Sequence, residues 1–242
     1  MSPAADPWLV ETRQLDLSDP KLRITAQKLT QARQSLPARA AAIQAFVRGL
    51  PFSASADGHS VRASEVLRRG SGDCHSKGVL FTALCRAAGL PARLVFVDVR
   101  PRFLAGILDR GPAVLPHAVG QVLLPDGWHS TDGYVVDPVL FAHAKHLLHD
   151  HGLDSGWGIV QEAAGAWDGQ GDCLQQFRAG DVVDHHGAWH EPAAFHATRP
   201  AGTRGWLGRL QYAIATRLVN LRVARVRQSR FPLPLPPMAA QP

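Results

Sequence analysis

Residues 70–99 read GSGDCHSKGVLFTALCRAAGLPARLVFVDV and contain the clearest structural signals in the chain. Asp73 is a typical N-cap residue. Apolar residues recur after it at helical spacing, namely Val79, Leu80, Ala83, Leu84 and Ala87. Gly89 and Pro91 predict the end of this helix. Residues 92–99 are mostly apolar and β-branched, so they predict a buried strand that follows the helix directly.

Further helices are predicted on the N-terminal side of this segment. One is predicted to begin at Pro20, after the capping residue Asp19, and to end near Gln34. A second is predicted to begin at Pro37, and a short third covers residues 63–68.

Strands dominate the prediction on the C-terminal side. Residues 117–124 and 128–132 predict two strands, which a Pro-Asp-Gly turn connects. Residues 133–141 are predicted to extend the sheet, whereas residues 142–200 lack periodicity and predict loops and short helices. Helices followed by antiparallel strands predict an α+β fold.

A single domain over residues 1–228 is expected for a chain of 242 residues. Its core covers about residues 37–140, and residues 142–200 are a His-, Gly- and Trp-rich elaboration of that core. Residues 206–228 predict an amphipathic helix. Residues 229–242 are rich in proline and predict an extended, disordered tail.

The composition excludes several classes of protein. A formal net charge of +6 is spread over 242 residues, so we expect no binding to nucleic acid. Three cysteines are too few for a disulfide scaffold. No secretory signal is evident, and no run of about 18 apolar residues could span a membrane. A cytoplasmic protein with reduced thiols is therefore expected.

Cys74 is the strongest candidate for a reactive residue. It lies in the first turn of a predicted helix, where unpaired N–H groups and the helix dipole favour a thiolate. Gly72 leaves room beside it for a substrate backbone. A buried, inert thiol is the alternative interpretation of Cys74. Cys85 lies among apolar residues and is interpreted as core, and Cys173 is left unassigned.

His117 and Asp132 supply the partners that a nucleophilic cysteine needs. A histidine that faces Cys74 and is oriented by a carboxylate is the arrangement that acyl transfer requires. The backbone N–H of Cys74 would supply one oxyanion donor, and a side chain in residues 52–60 is our guess for the second. A symmetric hairpin makes Asp137 an alternative to Asp132, which remains the preferred carboxylate.

These motifs resemble the transglutaminase-like superfamily, a branch of the papain-like Cys-His-Asp enzymes. The resemblance covers about residues 37–140 and rests on residues 63–67, 72–74, 78–86, 89–93, 117–118, Trp128 and Asp132. It implies a papain-like core in which the catalytic helix packs on an antiparallel sheet. It also implies that Cys74 is the nucleophile, His117 the general base and Asp132 the residue that orients His117.

The resemblance implies a function as well. Family members form a thioester with a glutamine or peptide carbonyl and pass the acyl group to an amine or to water. A transglutaminase-like acyltransferase, a cysteine protease or an amidase that acts on a peptide or protein substrate is therefore expected. Substrate contacts are assigned to Gly72, His75 and Trp128, although His75 replaces an aromatic residue common in the family. The alternative is a non-catalytic peptide-binding or scaffold module that retains the cleft.

No metal ion or cofactor is expected. Four histidines of one segment, His143, His146, His149 and His151, are spread too widely around a helix for one compact site. A second set, His185, His186 and His190, is equally weak.

The predicted helix over residues 206–228 is basic and amphipathic. Its apolar stripe consists of Leu207, Leu210, Ile214, Leu218 and Leu221, and we expect this stripe to pack on the domain. Arg225 falls on the same line, so the C-terminal end is expected to project from the core. Contact with an anionic membrane or a partner protein is the alternative. The oligomeric state is left open.

Overall fold

The structure, a computed structural model, describes residues 6–55, 57, 59–108, 111–198 and 206–228, with side chains in the last range from residue 214. The helices in these ranges are α1 (Pro20–Thr30), α2 (Leu36–Gly49), α3 (Ala63–Arg69), α4 (Cys74–Ala87), α5 (Pro138–His151), α6 (Pro192–Thr198) and α7 (Trp206–Gln228). The strands are β1 (Ala92–Val99), β2 (Leu115–Leu124), β3 (Gly127–Thr131), β4 (Ser155–Gly156), β5 (Ile159–Val160) and β6 (Val182–Trp189).

The main sheet has the strand order β3-β2-β1-β6, and every neighbouring pair in it is antiparallel. β4 and β5 form a separate two-stranded sheet. α4 packs on β2 and β1, while α1, α2 and α3 pack on α4. The predicted α+β fold with a helix on an antiparallel sheet is therefore confirmed.

α4 begins where the sequence predicted and for the predicted reason. The carboxylate of Asp73 accepts a hydrogen bond from the backbone N–H of Ser76, and the Ser76 hydroxyl accepts one from the backbone N–H of Asp73. This capping box fixes the first turn of the helix. Gly89 has a φ of +77° just after the helix, and β1 covers the predicted residues 92–99.

Two glycines allow α4 and β2 to approach each other closely. A Cβ atom on Gly120 would lie 2.7 Å from the ring of Phe81, and one on Gly78 would lie 2.9 Å from the Tyr134 hydroxyl. The rings of Phe81 and Tyr134 stack at 5.2 Å between the helix and the strand. Close packing here sets the distance between the start of α4 and the sheet, because no larger side chain could be accommodated.

Residues 133–141 do not extend the sheet, so this prediction is wrong. α5 begins at Pro138, after Asp137, whose side chain accepts a hydrogen bond from the backbone N–H of Leu140. An Asp-Pro pair is a strong helix start because the carboxylate caps the helix and Pro lacks an N–H that would need a partner. This signal outweighs the β propensity of the two valines before it.

Residues 142–200 contain more regular structure than predicted. β6 joins the main sheet beside β1, and its charged and imidazole side chains are mostly exposed. Such a strand is hard to predict because an edge strand buries little apolar surface. Its pairing with β1 also contains register shifts.

α7 confirms the predicted helix but buries a different face. Leu207 and Leu210 lie in the part of α7 without described side chains, and Ile214, Leu218 and Leu221 are 51%, 51% and 53% exposed. Val223 and Val226 are buried against α5 instead. The C-terminal end of the helix therefore packs on the domain rather than projecting from it, and the predicted stripe does not form the packed face.

No helix in the described ranges is long and apolar enough to cross a membrane. The predicted proline-rich tail, residues 229–242, lies outside the described residues.

Candidate active site

Cys74 occupies the first position of α4 and is partly exposed. A neighbouring loop pairs with the residues just before it. The backbone N–H of Ser53 donates to the carbonyl of Gly72 at 2.9 Å, and that of Ser55 donates to the Asp73 carboxylate at 3.2 Å. The start of α4 is thus held by its own cap and by the chain that follows α2, which keeps the sulfur in a defined position.

His117 and Asp132 lie beneath this helix start. Nε2 of His117 is 3.2 Å from Oδ2 of Asp132, and both side chains are fully buried. His117 lies in β2 opposite Val97, whereas Asp132 directly follows β3. The edge-to-face rings of Phe103 and Phe177 flank the imidazole. Solvent therefore reaches this cluster through Cys74 and not through its two buried members.

The Asp132 carboxylate is oriented by a segment far away in the sequence. The backbone N–H of Gln175 donates to Oδ1 at 2.6 Å, and the backbone N–H of Gln176 lies 3.4 Å from Oδ2. The backbone of Cys173 in turn pairs with residues at the end of β3. Sequence reasoning missed these contacts because a backbone donor leaves no signal in its side-chain type.

Asp137, the alternative carboxylate, has a different role in the structure. Besides capping α5, its side chain accepts a hydrogen bond from the backbone N–H of Phe52 at 3.0 Å and pairs with Arg227 of α7. The β2–β3 hairpin has its centre between Pro125 and Asp126, and its ladder ends at Thr131. Asp132, and not Asp137, is therefore the carboxylate that contacts His117.

The electrostatics of His117 favour its protonated form. Burial alone would lower the pKa of His117, but hydrogen bonding to Asp132 and the nearby Cys74 sulfur outweigh burial and raise it above its usual range. Nδ1, the ring nitrogen that does not face Asp132, is buried, and the Cys74 sulfur is the nearby group besides Asp132 that favours the charged ring. An imidazolium beside a thiolate is the charge state that a cysteine nucleophile requires.

Cys74 also makes a polar contact with His75. Sγ lies 3.3 Å from Nδ1 of that residue. The ring of His75 is buried and also stacks at 5.9 Å on Phe96 of β1. Two further imidazoles lie against it, those of His59 at 4.7 Å and His196 at 5.0 Å between ring centroids. Burial lowers the pKa of His59, and the charge of Asp73 opposes this effect.

Lys77 connects the chain segments around the site, and sequence reasoning did not identify it. Its buried ammonium group donates to the carbonyls of Leu50 at 2.7 Å and Val135 at 3.0 Å. Burial lowers the pKa of this amine to about 7. The sequence does show a lysine on an otherwise apolar face of the helix, one turn after Cys74. Its role could not be predicted because its partners are backbone carbonyls.

The three residues assigned to substrate contacts lie in different surroundings. Gly72 has no room for a side chain, since a Cβ atom there would lie 2.4 Å from the Ser76 hydroxyl. His75 lies among aromatic rings, as described above. Trp128 lies four residues before Asp132 along β3, about 13 Å at the usual strand rise. It packs edge-to-face on Trp8, and Arg93 lies 3.9 Å above its ring.

The other two cysteines are buried. Burial raises the pKa of both thiols, that of Cys173 to about 11, so neither has the character of a nucleophile. Among the histidines weighed for metal binding, His146 pairs with Asp150 at 3.3 Å and His186 with Asp98 at 3.1 Å. The imidazole cluster beside Cys74 was not predicted because its members lie in three separate segments.

Residues 23–133 match the family model of the transglutaminase-like superfamily, and this range includes Cys74, His117 and Asp132. Among solved structures, a Cytophaga hutchinsonii protein that is provisionally described as a cysteine protease is 20% identical to this chain, with a TM-score of 0.45. The match covers 57% of this chain and 45% of that protein. A Parabacteroides distasonis protein, provisionally described as a protease, is 18% identical with a TM-score of 0.37 over 48% of this chain and 24% of its own. The chain thus spans less than half the length of either structure. No curated protein matches the chain.

Proposed function

We propose that the protein, whose residues 23–133 match the model of the transglutaminase-like superfamily, catalyses cysteine-dependent acyl transfer or hydrolysis at a glutamine or peptide amide. The observation that carries the proposal is the buried His117–Asp132 pair beneath a cysteine at a helix start. Nucleophile, base and orienting carboxylate are the three groups that amide chemistry through a thioester requires.

The reaction follows from the positions of these groups. The Cys74 thiolate forms a C–S bond with the amide carbonyl carbon, and the backbone N–H of Cys74 donates to the developing oxyanion. The C–N bond then breaks, and the leaving ammonia or amine takes the proton held by His117. Water or an acceptor amine attacks the thioester, His117 removes the proton of the incoming group, and the thiolate leaves.

Asp132 keeps His117 in the orientation that these proton transfers need. Because Nε2 of the ring faces the carboxylate, Nδ1 is the nitrogen available to exchange a proton with the sulfur or the leaving group. The carboxylate is itself held by the backbone N–H of Gln175, so the ring cannot turn without breaking its hydrogen bond to a fixed partner. Positioning of this kind makes a proton transfer effective.

Selective alkylation followed by electrophile labelling tests the proposal. With iodoacetamide, we expect Cys74 to react much faster than Cys173 and Cys85, as measured by peptide mass spectrometry over time. Glutamine-containing and peptide electrophiles should then label Cys74, and the identity of the faster probe reports the acyl substrate. The proposal is wrong if Cys74 reacts no faster than Cys173 and a Cys74→Ala variant keeps any turnover that the wild type shows.

One observation favours the non-catalytic alternative, a peptide-binding module. The sulfur lies 3.3 Å from Nδ1 of His75, a second imidazole that competes with His117 for it. Catalytic contacts are often long without substrate and shorten when it binds, so this geometry agrees with either function. Peptide binding that Cys74→Ala leaves unchanged, with no thioester trapped by hydroxylamine in the wild type, would support the binding module.

A further inference from the structure

Three imidazoles meet beside the start of α4, outside the His117–Asp132 pair. They belong to His59 in the loop before α3, His75 in the first turn of α4 and His196 in α6. One ring nitrogen from each lies within 4.8 Å of the others, and the ring centroids of His59 and His196 are only 4.1 Å apart. His75 is buried and the other two residues are half-buried, so the cluster is both held in place and open to solutes.

The surroundings hold these rings in place. Phe195, next to His196, is buried and stacks on Phe96 of β1 at 4.0 Å, which fixes α6 against the sheet. The ring of His75 stacks on the same Phe96. His59 lies in a loop that is short of regular structure, but its ring contacts both other imidazoles. Three separate chain segments therefore deliver their imidazoles to one point.

Three imidazole nitrogens are the ligand set that Zn²⁺ and neighbouring transition metals prefer. Zn–N bonds of about 2.0–2.1 Å in a tetrahedral site place the nitrogens ~3.4 Å apart. The nitrogens lie within 4.8 Å of one another, so each pair would have to approach by at most about 1.4 Å to reach that spacing. We propose that His59, His75 and His196 bind a divalent transition-metal ion of the zinc class, with the fourth position open to water. This departs from the expectation, drawn from the sequence, that the protein holds no metal.

Such an ion would act on the nucleophile through His75. Nδ1 of that ring faces the Cys74 sulfur, which leaves Nε2 as the nitrogen for the metal. A histidine that binds a metal through one nitrogen carries its proton on the other. The proton on Nδ1 would then donate to the sulfur and hold it in place. The ion would also fasten the loop of His59 and helix α6 to the start of α4.

Zinc titration of the full-length, untagged protein tests the proposal. After treatment with a chelator, we expect one Zn²⁺ to bind per chain, measured by competition with a chromophoric chelator and by elemental analysis. Bound Zn²⁺ should raise the melting temperature, because it binds the folded chain. His59→Gln and His196→Gln should each weaken binding more than about 100-fold, since each removes a direct ligand. His146→Gln, which changes a surface imidazole of α5, is the matched control and should bind as the wild type does.

The same titration contains the outcomes that would overturn the proposal. Absence of stoichiometric binding, or binding that His59→Gln and His196→Gln both leave intact, would show that the imidazoles only pack together. Circular dichroism shows whether each variant is folded. If one of the two ligand variants does not fold, the other still tests the proposal. Cys74→Ser should keep the zinc affinity, and its loss there would mean that the thiolate holds the ion instead. Turnover is not measured, so the result is independent of the proposed function.

Discussion

The sulfur of Cys74 lies 3.3 Å from Nδ1 of His75, its neighbour in the chain, although the imidazole with an orienting carboxylate is that of His117. Two imidazoles therefore interact with the same sulfur. His75 lies in an aromatic environment, whereas His117 is paired with a buried charge. The buried carboxylate of Asp132 holds the ring of His117 in one orientation.

Substitution of each histidine separates their roles. His75→Phe keeps the stacking on Phe96, so we expect turnover of a labelled amide to stay within about tenfold of the wild type. His117→Asn removes the base and should lower kcat by about 10²–10⁴-fold. Rates of iodoacetamide alkylation at Cys74 provide an independent measurement. A larger loss for His75→Phe than for His117→Asn would make His75 the base.

Replacement of Asp132 by asparagine tests the orienting carboxylate. The amide keeps one oxygen for the backbone N–H of Gln175 but loses the charge that faces His117. We expect kcat to fall at least about 100-fold and the free energy of unfolding to fall by about 1–3 kcal/mol. Steady-state kinetics and urea unfolding measure the two effects. Asp126→Asn, at an exposed partner of His129, is the control and should change neither by much.

The pKa of His117 predicts how stability varies with pH. Because this pKa is raised on folding, the charged ring contributes stability that is fully present below the usual histidine range and is lost as pH rises through the raised pKa. Removal of the sulfur by Cys74→Ser takes away one cause of the increase. We therefore expect the imidazole resonances of His117 to titrate at lower pH in Cys74→Ser than in the wild type. Equal titration by NMR would show that the sulfur and the ring do not interact.

Because α4 and β2 lie so close together, adding a single methyl group at Gly120 is expected to destabilise the fold. Gly120→Ala would place a Cβ atom 2.7 Å from the Phe81 ring, and the helix must shift to accommodate it. We expect a loss of about 1–3 kcal/mol in the free energy of unfolding and slower alkylation of Cys74. Gly49→Ala is the control, because nothing lies within 4 Å of a Cβ atom there. A neutral Gly120→Ala would mean that the helix position tolerates movement.

Arg227 attaches the C-terminal end of α7 to the rest of the domain. Its guanidinium group pairs with Asp137 and donates to the carbonyl of Phe52 at 2.9 Å. Burial would raise the pKa of Asp137, but Arg227 and two backbone donors outweigh burial and lower it. Arg227→Gln should cost about 1–3 kcal/mol at neutral pH, measured by urea unfolding. That difference should shrink as acid protonates Asp137, and the exposed Arg217→Gln should show neither effect.

The sequence predicted the parts of the fold that rest on local signals. The cap at Asp73, the helix stop at Gly89 and the buried strand β1 each depend on residues within a few positions of one another. The pairing of β6 and the choice of which face α7 buries depend on contacts with distant elements. The side chains of these two elements do not indicate those contacts. Asp-Pro at residues 137–138 is a local helix signal, but the preceding valines favour a strand, so the sequence alone predicts the wrong element there.

The candidate site residues could be predicted from their chemical types better than from the expected strand pairing. Cys74, His117 and Asp132 could be selected from their chemistry and order, and the structure brings the three together. The sequence alone does not exclude Asp137 as the carboxylate, because it does not fix the centre of the β2–β3 hairpin. Moving that centre by half a residue changes every cross-strand partner. The imidazole cluster could not be anticipated, because His59 and His196 are separated by most of the chain.

The hydrogen bonds from Gln175 and Gln176 to Asp132 cross the boundary of the matched family range, which ends at residue 133. A fragment cut at that boundary would contain Cys74, His117 and Asp132 but would leave the Asp132 carboxylate without these two backbone donors. The part of the chain that matches the family model is therefore shorter than the part that holds the Asp132 carboxylate in place. Transplanting the three side chains into another scaffold would therefore require a second segment that supplies the backbone donors of Gln175 and Gln176.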